Sequence, residues 1–264
     1  FGKVQIGREY TQAFWQQLGA DPWGWDTVAS TLTSGWTGGG VAGLRLNNSI
    51  TYSIAAAGFT FGAQIAETNE NGPSSASCAT TTGTVEGTNA FGVCKTAGST
   101  KIAGTNALGK AQKKPFNLGA AYNIGGLSVG VGYENPGNED DKWTTVRASY
   151  KFGAVNLGAF YGKGTTASTT KATTPTVVTP GSDVKSYMLT ATADVGAGQI
   201  RAAYGDRKVA GTSNMKGFAL GYHHAVSKRT TLYVDYANNS KQTLTGTTTP
   251  GEKNAYDFGV KHAF

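Results

Sequence analysis

Strict alternation of apolar with small or polar residues recurs along the chain, and a period of two puts successive side chains on opposite faces of a strand. Phe59, Phe61, Ala63 and Ile65 alternate with Thr60, Gly62, Gln64 and Ala66. Leu127, Val129, Val131 and Tyr133 alternate with Ser128, Gly130 and Gly132, and Val155, Leu157, Ala159 and Tyr161 with Asn156, Gly158, Phe160 and Gly162. The pattern predicts strands at about 1–11, 44–56, 58–69, 115–125, 127–135, 142–152, 154–164, 183–195, 198–209, 215–226, 230–241 and 253–264, twelve in all, and no helix. Prolines agree, because they fall in the joints or, as at Pro115, open a strand.

The joints form two sets. Ala57-Gly58, Gly125-Gly126, Gly153-Ala154, Gly196-Ala197 and Ser227-Lys228-Arg229 are tight. The segments 12–43, 70–114, 136–141, 165–182, 210–214 and 242–252 are mostly long and polar, and the two sets alternate along the chain. An up-and-down meander produces this when long loops leave one end and tight turns the other, as in outer-membrane barrels. A β-sandwich mixes its connections. The Thr/Ser/Ala-rich run 165–174 reads as solvated loop, and no domain boundary is found within 1–264.

Composition fits that reading. The 38 glycines are about twice the usual share, and Thr, Tyr and Phe abound. No apolar run approaches the roughly 18 residues of a membrane helix, and mean hydropathy is −0.28. Alternation halves the hydropathy of a barrel strand, so a low mean does not oppose a membrane. In the last strand Tyr256, Phe258, Val260, His262 and Phe264 share one face, and Asp257, Gly259, Lys261 and Ala263 the other. An apolar aromatic face toward lipid and a polar face toward a lumen account for both, with the final aromatic at headgroup level. The expected fold is an all-β, antiparallel, up-and-down transmembrane β-barrel in one domain.

The net charge of +7 admits nucleic acid, an anionic surface or an anionic solute. No Lys/Arg cluster on a predicted helix supports nucleic acid. Cys78 and Cys94 enclose fifteen residues and are expected to form a disulfide in an oxidising compartment, worth about 3 kcal/mol to that loop. Two free thiols are the alternative. There is no initiator Met, and Phe1 opens in mid-pattern, so a processed, truncated or incomplete chain is expected.

Four strings carry a family resemblance. Phe1–Arg8 (FGKVQIGR) resembles the strand before the constriction loop of general bacterial porins, and Leu44–Tyr52 (LRLNNSITY) the strand after it. Gly221–Tyr233 resembles their penultimate hairpin and Gly259–Phe264 their C-terminus, especially in β-proteobacterial members. The resemblance implies a usually trimeric barrel of about 16 strands in the Gram-negative outer membrane. It also implies contact with outer-membrane lipid and lipopolysaccharide, and small anionic or polar solutes as cargo. Against that pattern about four strands are unaccounted for. The closing aromatic resembles the family's assembly tag.

If Tyr, Phe, Leu and Val face lipid, the other parity names the lumen. Leu44, Leu46, Ile50 and Tyr52 are then expected outward, with Arg45, Asn47, Ser49 and Thr51 inward. Arg147, Lys151, Arg201, His223 and Lys261 are expected inward, with Asp235 and Asp257 as the main acids. A wall of that composition is net basic and favours anions. Segment 12–43 is the expected constriction loop, with Trp15, Trp23, Trp25 and Trp36 as bulk and Asp21 and Asp26 as its acids; 70–114 is the long external loop. The resemblance places Arg8 and Arg45 on a basic wall, with Asp26 and Asp21 opposite. Turn-capping at Ala20-Asp21-Pro22 and Trp25-Asp26-Thr27 is the competing role for both acids. Alternation puts Arg8 outward with Val4 and Ile6, and a bulge at Gly7 is needed to turn it inward.

Other features carry less. Gly38–Gly43 matches a dinucleotide-binding spacing without a strand before it or a helix after it. His223 and His224 point to opposite faces, which excludes a shared metal. No Ser, His and carboxylate set has the context for nucleophilic catalysis, so neither enzyme nor cofactor is expected. The expected function is a passive diffusion channel for small hydrophilic solutes with anion preference. An outer-membrane barrel hydrolase and a surface β adhesin are the alternatives, separated by lipid-analogue hydrolysis and by solubility without detergent.

Overall fold

A computed structural model describes residues 1–30, 45–67, 77–79, 85–87, 100–101, 114–135, 137, 142–165, 169–171, 177–179, 181–242 and 253–264. Twelve strands form one antiparallel sheet in chain order: β1 (Lys3–Tyr10), β2 (Arg45–Ala56), β3 (Phe59–Ala66), β4 (Phe116–Ile124), β5 (Leu127–Asn135), β6 (Trp143–Phe152), β7 (Val155–Thr165), β8 (Asp183–Val195), β9 (Gly198–Val209), β10 (Thr212–Ala225), β11 (Thr230–Gln242) and β12 (Asn254–His262). Each strand pairs with its sequence neighbours, and β1 and β12 are the two edges among the described residues. One helix, α1 (Gln12–Ala20), lies between β1 and β2, where the sequence predicts none. Short ladders join 77–79 to 85–87 and to 100–101, and 169–171 to 177–179. Both lie in connections expected as loop. Any pairing of Cys78 with Cys94 falls outside the described residues.

The tight turns follow from backbone chirality. Ala57 and Gly58 both take positive φ, 51° and 82°, the geometry of a two-residue turn whose twist matches its flanking strands. Ala210 and Gly211, at 49° and 80°, do the same between β9 and β10. The expected longer joint 210–214 is therefore a two-residue turn, and β10 begins three residues early, at Thr212.

The two faces of the sheet invert the usual distribution of polarity. On one face Leu189, Val146, Leu157, Leu220 and Phe258 are exposed. On the other, Ser49, Gln64, Asn117, Thr145 and Ser186 are buried. Asn117 Nδ2 donates to Gln64 Oε1 at 2.6 Å, and Gln64 Nε2 to Ser49 Oγ at 3.0 Å. Buried polar groups bonded to one another under an apolar exterior suit a sheet immersed in hydrocarbon.

One stretch breaks the expected alternation. Gly7 pairs with Ser49 but Glu9 with Leu46, so β2 carries one extra residue there, at Asn47-Asn48, and Asn48 has φ 48°. An extra residue reverses the facing of everything beyond it. Leu46, expected outward, is consequently buried. Arg45, expected inward, falls on the opposite parity, paired with Tyr10. The irregularity does not turn Arg8 inward: Gln5 Nε2 donates to Glu9 Oε1 at 2.9 Å across it. The inner parity of β1 thus runs unbroken, and Arg8 stays exposed with Val4 and Ile6.

Candidate solute pathway: a strap across the polar face

Residues 11–30 cross the polar face of the sheet and are held at both ends. Thr11 caps α1 by accepting from the Phe14 amide at 3.2 Å, and the Gln12 amide donates to Asn117 Oδ1 of β4 at 2.8 Å. The helix buries Gln12, Ala13, Phe14, Gln16 and Gln17. Its seat is glycine-lined. A Cβ at Gly130 of β5 would stand 2.0 Å from Gln16 Oε1, and one at Gly132 2.7 Å from Ala13 Cα. Gly62 and Gly119 make the same room beneath Gln12. Ala13 completes a buried cluster with Trp143 and Val184.

Arg147 of β6 lies half-buried against this helix. Its Nε donates to Gln16 Oε1 at 3.1 Å and its Nη1 to Ser128 Oγ at 2.7 Å. Between the helix and β1–β4 a cavity of about 350 Å³ opens, lined by Lys3, Gln5, Glu9, Thr51, Asn123 and Arg147 among others. At its rim the Tyr10 ring stacks on Phe14 at 4.0 Å, and the Arg45 guanidinium covers Tyr10 at 4.0 Å.

Beyond α1 the chain turns toward β9–β12. The Asp21 carboxylate accepts from the amides of Trp23 at 2.9 Å and Trp25 at 3.0 Å, which is the turn-capping role. Trp23 is 3% exposed and fills a pocket of Ala29, Ala203, Ala219 and Ala237. Its Nε1–H donates to Asp235 Oδ1 at 2.8 Å, and His223 Nε2 lies 3.1 Å from both oxygens of Asp235. A hydrogen on Nε2 makes His223 a further donor to that buried carboxylate. Gly221 is required there, because its Cβ would stand 2.0 Å from Asp235 Oδ1. Farther on, Asp26 meets Lys261 Nζ at 2.5 Å. The hydrogen bond from Lys261 holds the Asp26 carboxyl below its ordinary range, against a smaller opposing effect of burial.

Arg147, Lys151, Arg201, His223, Asp235, Asp257 and Lys261 all occupy the inner parity. His223, Asp235 and Trp23 meet directly, as do Lys261 and Asp26. Tyr233 Oη donates to Asp257 Oδ1 at 3.4 Å, and Arg201 feels the charges of Asp235, Asp21 and Asp26. Arg8 and Arg45 do not join this group. Inner parity also carries Glu9, Glu134 and Asp194, acids that sequence reasoning did not weigh. Asp194 is ion-paired with Lys151 at 3.1 Å and accepts from Gln199 at 2.8 Å. Trp23 as an anchor was also missed, although inner-parity alanines at 203, 219 and 237 on three adjacent strands signal a space for a large ring.

A polar lining crossed by an internal strap can narrow a passage and orient charged solutes in it. Comparison with solved structures finds the same architecture. The anion-selective porin from Comamonas acidovorans superposes with TM-score 0.67 at 22% identity, over 100% of this chain and 75% of that one. OmpF of Salmonella typhi, solved with daunomycin, gives 0.64 at 15%, over 98% and 73%. OmpT of Vibrio cholerae, folded in vitro and in its trimer form, gives 0.54 at 13%, over 98% and 76%. These proteins share the β-barrel fold, and this chain spans about three quarters of their length. Comparison with curated protein sequences finds no match. The family profile described as Gram-negative porin matches residues 1–244, and the chain belongs to that family.

Proposed function

We propose that this outer-membrane porin channel passes small hydrophilic solutes passively and favours anions. The observation that carries the preference is how its charges are used. Arg147 and Arg201 are half-buried on the inner face, and their hydrogen bonds go to the neutral Gln16, Ser128 and Gln199. Four acids are engaged locally: Asp235 by Trp23 and His223, Asp26 by Lys261, Asp194 by Lys151, and Asp21 by backbone amides. Guanidinium charge left without a contacting carboxylate among the described residues lowers the barrier for a passing anion. The Comamonas neighbour, itself an anion-selective porin, supports the same reading. A homotrimer belongs to this proposal, in line with the trimer form of the Vibrio neighbour, as does contact with outer-membrane lipid.

In a planar bilayer under a KCl gradient, stepwise currents whose reversal potential favours chloride are expected. Arg147→Gln and Arg201→Gln are each expected to move that potential toward potassium. Cation preference of the unaltered protein, or an absence of channels, contradicts the proposal.

A further inference from the structure

The cavity of about 350 Å³ between α1 and β1–β4 has the size of a small-molecule site, and several of its polar groups lack partners. Lys3, Gln5 and Glu9 line it from β1, and Thr51 and Ser53 from β2. Register sets Lys3 opposite Ser53 and Gln5 opposite Thr51, so these two rows stand roughly 7 Å apart along the strands. Lys3 is exposed and has no ion-pair partner among the described residues. Thr51 is 5% exposed, and its hydroxyl has no hydrogen-bond partner among them either. A buried hydroxyl left unpaired is costly, and rotation about χ1 presents it to the cavity that the residue lines. Glu9 accepts from Gln5 through Oε1 at 2.9 Å.

The remaining walls differ in kind. Trp15 of α1 stays 44% exposed, although its ring is braced edge-on by Tyr10 at 5.4 Å and by Phe14 at 5.3 Å. It brings a rigid apolar surface to a polar lining. Gly62 and Gly119, opposite one another in register, carry no side chain into the space. On the far wall, Arg147 uses its Nε and Nη1 on Gln16 and Ser128. Lys3 and Arg147 against Glu9 leave one positive charge in excess. The amides and hydroxyls of Gln5, Thr51, Ser53, Thr60 and Asn123 offer donors and acceptors together. One excess positive charge, mixed hydrogen-bonding groups and an aromatic face match a solute with one carboxylate, several hydroxyls and an apolar C–H face.

We propose that this cavity is a binding subsite for sugar acids, the monocarboxylates of a hexose-sized ring. The carboxylate sits on Lys3, ring hydroxyls pair with Thr51 and with the Gln5–Glu9 pair, and the C–H face lies on Trp15. The separation of the Lys3 and Thr51 rows, roughly 7 Å, is the length of such a molecule. The inference rests on the reading of the chain as a channel for hydrophilic anions and adds a solute class to it. An inorganic anion shares the lysine chemistry but has nothing to offer Thr51 or Trp15.

The test is a titration of the full chain in detergent, followed by ligand-observed NMR. The probes are glucuronate, methyl glucoside, which lacks the carboxylate, and cyclohexanecarboxylate, which lacks the hydroxyls. Saturable binding of glucuronate is expected, about tenfold or more tighter than that of either analogue. Lys3→Gln is expected to bring glucuronate down to the level of methyl glucoside and to leave methyl glucoside unchanged. Thr51→Val, which keeps the shape and removes the hydroxyl, is expected to weaken glucuronate and leave cyclohexanecarboxylate unchanged. In each variant the unaffected probe shows that the cavity is intact. Lys228→Gln, at the tight-turn end, is expected to change nothing. An absence of saturable binding, equal binding of the three probes, or full glucuronate binding by Lys3→Gln or Thr51→Val overturns the subsite. Reversal potentials in KCl on the same preparation keep the two readings apart. Chloride preference without glucuronate binding removes the subsite and leaves the channel standing.

Discussion

Trp23 is the residue on which the position of the strap depends most. Its ring fills a space left by three wall alanines, and its indole N–H donates to the buried Asp235 beside His223. Trp23→Phe keeps most of the ring and removes the donor, leaving the carboxylate less satisfied at a cost of about 1–3 kcal/mol. Faster hydrogen exchange over residues 21–30 and noisier single-channel currents are expected, whereas unchanged exchange contradicts the anchoring role. Asp26 offers a test by pH. Lys261 lowers its folded-state pKa, so the contact is fully present above the ordinary carboxylate pKa and is lost as pH falls through the lowered one. Lys261→Gln is expected to move the Asp26 titration, followed by carboxyl NMR, back up toward its usual value. No movement means that the pair does not form.

At the scale of elements, the seat of α1 accounts for Gly62, Gly119, Gly130 and Gly132. Gly132 faces the backbone of Ala13, which cannot yield, whereas Gly62 faces the flexible end of Gln12, which can. Gly132→Ala is therefore expected to displace the helix and raise single-channel conductance, and Gly62→Ala to change it little. Equal effects refute the seat. The strands were readable because lipid on one side and a polar interior on the other impose a period of two on each. The helix was not, because the face it buries presents Gln12, Gln16 and Gln17 to a polar wall, so it lacks the apolar period of 3.6 that marks helices in soluble cores. Its seat is written in glycines on three other strands, where they read simply as small inward residues. The extra residue of β2 was equally hidden. Nothing in Leu44–Tyr52 shows that Asn47-Asn48 faces a single partner, and Arg45 and Leu46 were misassigned for that reason.

For the molecule as a whole, alternation identified Arg147, Lys151, Arg201, His223, Asp235, Asp257 and Lys261 but not Asp194, while their pairing depends on tertiary contacts that no local pattern encodes. Arg8 shows the limit from the other side, since its resemblance to a wall arginine gave way to the parity of its own strand. The central claim is that odd positions of β9 and β11 line a water-filled passage under the strap while even positions meet lipid. In a channel with Cys78 and Cys94 replaced by serine, cysteine is introduced singly at Arg201 and at Ala202, adjacent positions of opposite facing. A charged, water-soluble thiol reagent applied during bilayer recording is expected to step the current down at Arg201→Cys and leave it unchanged at Ala202→Cys. Block at Ala202→Cys, or equal responses at both, would contradict the account.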